Sequence, residues 1–275
     1  MKAASFDYVR PKDMTEALAA LSKADGAKIL AGGQSLGPML NLRLARPSLL
    51  IDVSRLDSLQ QLEDRGSVWR IGAGVTHARL EDARASLSGA GMLCDVAAGI
   101  AYRAIRNRGT IGGSLAHADP AADWPVALAA LGASVNVRGA GGARGIAVDR
   151  FMQGAFTTAL KDDEMIESID VPKLSRAGRY GYYKFCRKTG EFAEVSAAAL
   201  FDSERGTARI FLGAVRPAPQ SLADLAQRIA RDGPSVATSE AVSHAVAQAV
   251  PDLDFVERRM ASAAVMRALK QVFAS

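Results

Sequence analysis

Two glycine pairs, each followed by a serine, constrain this chain more than any other feature. The first lies in Ala31-Gly32-Gly33-Gln34-Ser35-Leu36-Gly37. The second lies in Arg106-Asn107-Arg108-Gly109-Thr110-Ile111-Gly112-Gly113-Ser114-Leu115. Paired glycines let a backbone approach a ligand closely and turn successive N–H groups toward one point. Such a nest binds an anion, typically a phosphate. Ser35 adds a hydroxyl in the first loop; Ser114 and Thr110 do so in the second. Either loop alone reads equally well as a plain glycine turn. Two of them, 80 positions apart (Gly33 to Gly113) and each after a small apolar segment, suggest a diphosphate held from both sides.

Arg106 and Arg108 put positive charge beside the second loop, or else serve a structural ion pair. A carboxylate next to a phosphate loop suits a ribityl or ribose hydroxyl better than another anion. Asp119 and Asp123 stand there, and Asp123 reads equally as a cap of the helix that follows. The string Gly72-Ala73-Gly74-Val75-Thr76-His77 imitates a dinucleotide fingerprint. Its third small position is His77, however, and the repeated βαβ pattern around it is missing. It reads as a strand-to-helix turn, with Thr76 near the N-cap and His77 a surface or capping residue. His77, His117 and His244 are too scattered for a metal site, and no metal ligand or catalytic residue is assigned.

The 275 residues are 49% apolar, enough for one large domain or two modest ones. The net charge of +5 comes from scattered basic residues mixed with 29 acidic ones, which reads as a solvated surface and not a nucleic-acid footprint. Cys94 and Cys186 are too few for a disulfide framework, and a [2Fe–2S] cluster takes about four ligands. No stretch approaches the roughly 20 apolar residues of a membrane span, and the first residues do not read as a signal peptide. A soluble, cytoplasmic protein is expected.

Hydrophobic periodicity predicts strands at 6–9, 49–53, 68–71, 134–138, 144–148, 165–171, 180–185, 193–201 and 208–215. It predicts helices at 13–23, 78–87, 91–103, 123–131, 222–231, 239–249 and 261–274, the fourth stopped by Gly132. Residues 27–31 form a short apolar run feeding the first loop. A domain boundary is placed near residue 174.

AGGQS and RNRGTIGGSLAHADPAAD, in this order, resemble the flavin subunit of molybdenum hydroxylases, the family that includes xanthine dehydrogenase and aerobic carbon monoxide dehydrogenase. FDYVRP, IDVSRL, IGAGVTHARLED and FTTALKDDEMIESIDVP extend the resemblance over nearly the whole chain. Tyr183-Lys184-Phe185-Cys186-Arg187-Lys188-Thr189-Gly190-Glu191-Phe192-Ala193 is similar to the carbon monoxide dehydrogenase-like branch. The resemblance implies an α+β protein: a two-subdomain FAD-binding fold of the vanillyl-alcohol-oxidase/PCMH type over 1–174 (subdomains about 1–55 and 56–174). A C-terminal α+β domain, a three-stranded sheet with helices, would follow over 175–275.

It further implies that Ile29, Leu30, Ala31, Gly32, Gly33, Gln34, Ser35 and Leu36 hold FAD together with Thr110, Ile111, Gly112, Gly113, Ser114, Ala118 and Asp119. Asp123 would bond the ribityl or a nearby sugar region. Ile100 and Ile166 would be apolar neighbours of the flavin or adenine, though both read equally as core. Lys184 would sit near the flavin, where a cation favours the anionic reduced form. Phe192 stands where relatives carry Tyr or Trp, so stacking survives and the polar handle is lost. Tyr102 and Gln34 depart from the branch's pattern in the same surroundings.

Implied partners are a large molybdenum-cofactor subunit and a small [2Fe–2S] subunit, in a dimer of heterotrimers, with no nucleic acid and no membrane span. The implied role is electron transfer from the clusters to an external acceptor. A self-contained flavin oxidase or reductase on the same fold is the alternative, and an anion-binding module without flavin is a third reading.

Overall fold

In the computed structural model, which describes residues 2–274, the opening segment alternates strand and helix. β1 (Asp7–Val9), α1 (Met14–Lys23), β2 (Lys28–Leu30), α2 (Leu36–Asn41) and β3 (Leu49–Asp52) follow in turn. β3 lies between β1 and β2 and runs parallel to both. Parallel pairing demands crossovers, which α1 and α2 supply. α1 starts where it does because the Asp13 carboxylate accepts the Glu16 N–H at 2.8 Å. β2 ends at Leu30, so the first glycine loop leaves directly from a strand terminus.

The second layer is an antiparallel sheet in the order β4-β5-β10-β6-β7. Its members are β4 (Leu62–Asp64), β5 (Val68–Gly72), β6 (Ser134–Gly139), β7 (Gly142–Ala147) and β10 (Met165–Pro172). The hairpin of β8 (Met152–Gly154) and β9 (Thr157–Thr158) stands apart from it. Between β5 and β6 run α3 (His77–Asp82), α4 (Gly91–Ala98), α5 (Arg103–Arg106), α6 (Ile111–His117) and α7 (Asp123–Leu131). Every residue of α7 is buried, and Gly132 closes it at φ 68°.

The third layer holds β11 (Arg179–Phe185), β12 (Val195–Asp202), β13 (Thr207–Gly213) and β14 (Gln220–Ser221), antiparallel and in chain order. α8 (Ala223–Asp232), α9 (Ser239–Ala249) and α10 (Phe255–Phe273) complete it. β12 is buried on both faces. Ala197 and Ala199 join a core with Val246, Ala264 and Val265, while Ala198 and Leu200 face the main core that includes Trp124 and Leu128. The two-residue alternation of a strand thus ties the last layer to α7.

The α+β class agrees with the sequence reading; several boundaries do not. The helix expected over 78–87 stops at Asp82, and that over 91–103 ends at Ala98, ahead of Ala101, whose φ is +42°. Each glycine loop runs straight into a short helix, α2 or α6. The expected three-stranded C-terminal sheet gains β14 as an edge. α10 begins at Phe255, not Ala261, because Asp254 and Glu257 form a reciprocal capping box. Among the described residues no helix is long and apolar enough to cross a membrane. Asp254→Ala is expected to lower stability by about 1 kcal/mol, with no change in the denaturant slope, in a urea titration followed by far-UV circular dichroism.

Candidate functional site

The first glycine loop turns outward as soon as β2 ends. Gly33 sits at φ +72°, a left-handed conformation that glycine takes without strain. The backbone N–H groups of Gly32, Gly33, Gln34 and Ser35 donate to no acceptor among the described residues. The Ser35 hydroxyl caps nothing, and the Gln34 amide folds back to donate to the Gly32 carbonyl at 3.1 Å. Backbone donors in a folded chain are nearly always paired. Four successive unpaired amides on a half-exposed loop are the donor set of an anion nest.

The second glycine segment is organised differently. Gly112 N–H donates to the Ala73 carbonyl at 3.0 Å, and Ile111 N–H to Val75 at 3.1 Å. His77 N–H donates to Gly109 at 2.9 Å, so that Thr76 and Thr110 form a β-bridge. The Thr110 hydroxyl accepts from Gly113 N–H at 3.0 Å and caps α6. Internal bonds therefore consume the amides of Ile111, Gly112 and Gly113, while the Ser114 hydroxyl makes no bond to the described residues. The string that imitates a dinucleotide fingerprint is the edge on which the second loop is mounted. A Cβ on Gly32 would overlap the Arg108 carbonyl, so the two loops touch backbone to backbone.

His77 is 5% exposed and not on the surface as the sequence suggested. Its Nδ1 accepts from Trp124 Nε1 at 3.2 Å. An indole can only donate, so the imidazole is neutral with its proton on Nε2. Burial, aided by the Arg106 charge, lowers its pKa to about 4. Arg106 plays the structural role: it grips Glu81 at 2.8 and 3.0 Å and donates to the Ile100 and Ala101 carbonyls at 2.9 and 2.8 Å. That arrangement holds the left-handed Ala101 and keeps the Glu81 carboxyl below its ordinary range. Arg108 makes no side-chain ion pair among the described residues.

The last layer supplies a buried polar group. Asp123, 5% exposed, accepts the Tyr182 hydroxyl at 2.6 Å and pairs with Lys184 Nζ at 2.9 Å. Lys184 also donates to the Gly99 carbonyl at 3.0 Å. Burial pushes the Asp123 carboxyl up against the pull of the Lys184 ammonium, and burial together with Asp123 pushes the Tyr182 phenol well above its ordinary value. The residues expected at a sugar and at a ring are thus one ion pair. The Asp123 carboxylate thus offsets the charge of the Lys184 ammonium within the layer. Tyr182 had not been singled out, although it lies two positions from Lys184 on a strand and so shares its face.

The other expected site residues fall into four groups. Phe192 and Tyr102 are exposed and near one seam, where Gly190 packs against Ala101 and Ala193 N–H reaches the Ala121 carbonyl at 3.4 Å. Asp119 spends one oxygen on Ala121 N–H at 2.9 Å, and Ala118 (φ +52°) accepts from Phe156 N–H. Ile111 and Ile166 lie in the core, with Ile29, Ala31 and Ile100 packed on its edge. Leu30 and Leu36 flank the first loop, half-buried.

Residues 4–174 match the family described as the FAD binding domain in molybdopterin dehydrogenase. The chain belongs to that family. It is 41% identical over 201 residues to the alpha subunit of the 6-hydroxypseudooxynicotine dehydrogenase complex of Paenarthrobacter nicotinovorans, covering 73% of this chain and 68% of that one. It is 36% identical to the carbon monoxide dehydrogenase medium chain of Hydrogenophaga pseudoflava, over 77% of this chain and 75% of the relative. The reconstituted CO dehydrogenase of Oligotropha carboxidovorans contains a chain of the same fold, with a TM-score of 0.91 at 31% identity over 100% of this chain and 99% of that one. As a member of this family the chain is an FAD-binding oxidoreductase component.

His77 makes the mounting of the second loop sensitive to acid. Its pKa falls from 6.5 to about 4 on folding, so its contribution is complete above pH 6.5 and is lost as pH drops toward 4. The loss amounts to about 3 kcal/mol. Asp52 and Glu164, both held near 2, act only below their ordinary 3.8 and 4.5. His77→Gln is therefore expected to flatten the fall in unfolding free energy between pH 6.5 and 4.5, measured by denaturant titration at each pH.

Proposed function

We propose that this chain is the flavin-carrying electron-transfer subunit of a heterotrimeric molybdenum hydroxylase. It receives electrons from [2Fe–2S] clusters on a small partner subunit, which draw them from the molybdenum cofactor of a large one, and passes them to an external acceptor. The observation that carries the reading is the set of four unpaired amides at Gly32–Ser35, braced by the second glycine segment. This donor set fits the diphosphate of FAD: four successive N–H groups have no acceptor, and the Ser35 and Ser114 hydroxyls make no hydrogen bond, among the described residues. FAD, when bound, supplies the redox chemistry.

The chain's own residues bind and shield. Ala31 to Ser35 hold the diphosphate directly, with Leu30 and Leu36 at the loop's ends. Thr110 to Ser114 act mainly by bracing that loop, and Ser114 adds a hydroxyl. Asp123, set by Tyr182 and Lys184, fixes the position of the sugar chain's surroundings and of the 99–101 turn. Phe192 and Tyr102 cover the exposed seam, where an aromatic face excludes water. We place the limit of the flavin-binding part near residue 174, where the family match ends and the C-terminal α+β domain takes over. A dimer of heterotrimers in the cytoplasm is the assembly we infer. The relatives' names, which include medium chains and subunits of complexes, support the former, and the two free thiols Cys94 and Cys186 suit a reducing compartment.

The purified chain is expected to carry FAD, read from its absorbance near 450 nm, roughly one per chain as for any resident flavin cofactor. Gly32→Ala should lose flavin at least about tenfold by forcing the two loops apart, a cost of at least about 1.4 kcal/mol in binding. Gly141→Ala, in open space, should retain it. Stoichiometric flavin in the Gly32→Ala protein would overturn the loop assignment.

A further inference from the structure

The segment that connects α2 to β3 carries two exposed leucines around a strained arginine. Leu42 is 52% and Leu44 72% exposed. Arg43 between them sits at φ +58°, a conformation that costs a non-glycine residue about 1 kcal/mol or more. The turn is held all the same: Arg43 N–H donates to Leu40 at 3.0 Å and Leu44 N–H to Met39 at 2.8 Å. The guanidinium groups are also anchored. Arg43 Nε donates to the Lys2 carbonyl at 3.1 Å, and Arg46 Nε to the Arg43 carbonyl at 3.2 Å. Their terminal nitrogens, and Lys2, meet no carboxylate among the described residues. Arg70 and Arg144, by contrast, each close a two-pronged pair, on Asp170 and Glu164. A groove of about 660 Å³ runs between Arg43, Arg46 and the arm at 2–6.

We propose that this face docks an acidic surface of a partner subunit, with Leu42 and Leu44 seated in an apolar recess and the Arg43 and Arg46 forks on carboxylates. The proposal rests on reading the chain as one subunit of a complex. An apolar centre with arginine beside it is the composition of interface cores, and a pre-aimed guanidinium matches a carboxylate bidentately. A second copy of this chain is a poor occupant, because an isologous contact would bring two copies of the same basic face together. Two leucines at the centre also suit a protein better than a phosphate backbone.

The test is association of the full flavin-loaded chain with its co-expressed partner subunits, measured by biolayer interferometry at several salt concentrations. Arg43→Gly keeps the left-handed turn and removes a fork; Leu44→Asp removes the apolar centre. Each is expected to weaken association at least about tenfold, while melting temperature and flavin content of the isolated chain stay at wild-type values. Wild-type association should also weaken as salt rises. Wild-type affinity in both variants would overturn the proposal. So would variants whose only defect is lost self-association of this chain, which would make the face a contact between copies. A wild-type chain that binds no partner subunit would instead overturn the reading of the chain as a subunit.

Discussion

The Thr76–Thr110 bridge is the interaction on which the site depends. It links the end of β5 to the start of α6 through three backbone hydrogen bonds, from His77, Ile111 and Gly112. Each bond satisfies a group that would otherwise be unpaired in or near the core, at a cost of about 1–3 kcal/mol apiece. The second glycine segment can therefore sit rigidly beneath the first. Its glycines serve close approach, and those of the first loop serve ligand access. Only because one loop spends its amides on structure can the other leave four of its own exposed without losing its shape.

The same economy appears between the layers. β12 is apolar on both faces, so the last layer cannot slide against α7 without uncovering Ala198 and Leu200. Into that apolar seam is set one buried ion pair, Asp123 with Lys184, closed by Tyr182. A buried pair adds little stability over an apolar substitute, but losing one partner leaves a charge stranded. Its contribution is register: Lys184 reaches the Gly99 carbonyl and Arg106 reaches those of Ile100 and Ala101, so two cations on different layers fix one turn. That turn places Tyr102 beside the loop that carries Phe192.

Much of this was legible in the residues themselves. The paired glycines with their serines, the buried run Asp123–Leu131 with Gly132 behind it and the near-continuous apolar run of β12 all report local backbone demands or burial. The capping box at Asp254 and Glu257 was equally legible and extends α10 by six residues beyond the hydrophobic pattern. Periodicity sees apolar faces, and the first turns of a helix carry few of them.

Other features depend on contacts between distant positions. Nothing near His77 in the chain announces that Trp124 will cover it, or that burial will hold it neutral. Arg106 and Arg108 look alike in sequence. One is half-buried against Glu81 and two carbonyls, while the other lends only its carbonyl to the seam with Gly32. Asp123 and Lys184 read as separate ligands until the third layer sets them 2.9 Å apart. The sequence by itself determined the glycine loops, the α+β class and the family, because these follow from local conformation and burial pattern. Only the tertiary structure decided which loop keeps its amides free and which charges pair. Hydrogen bonds and ion pairs are settled by which distant groups meet where water is excluded.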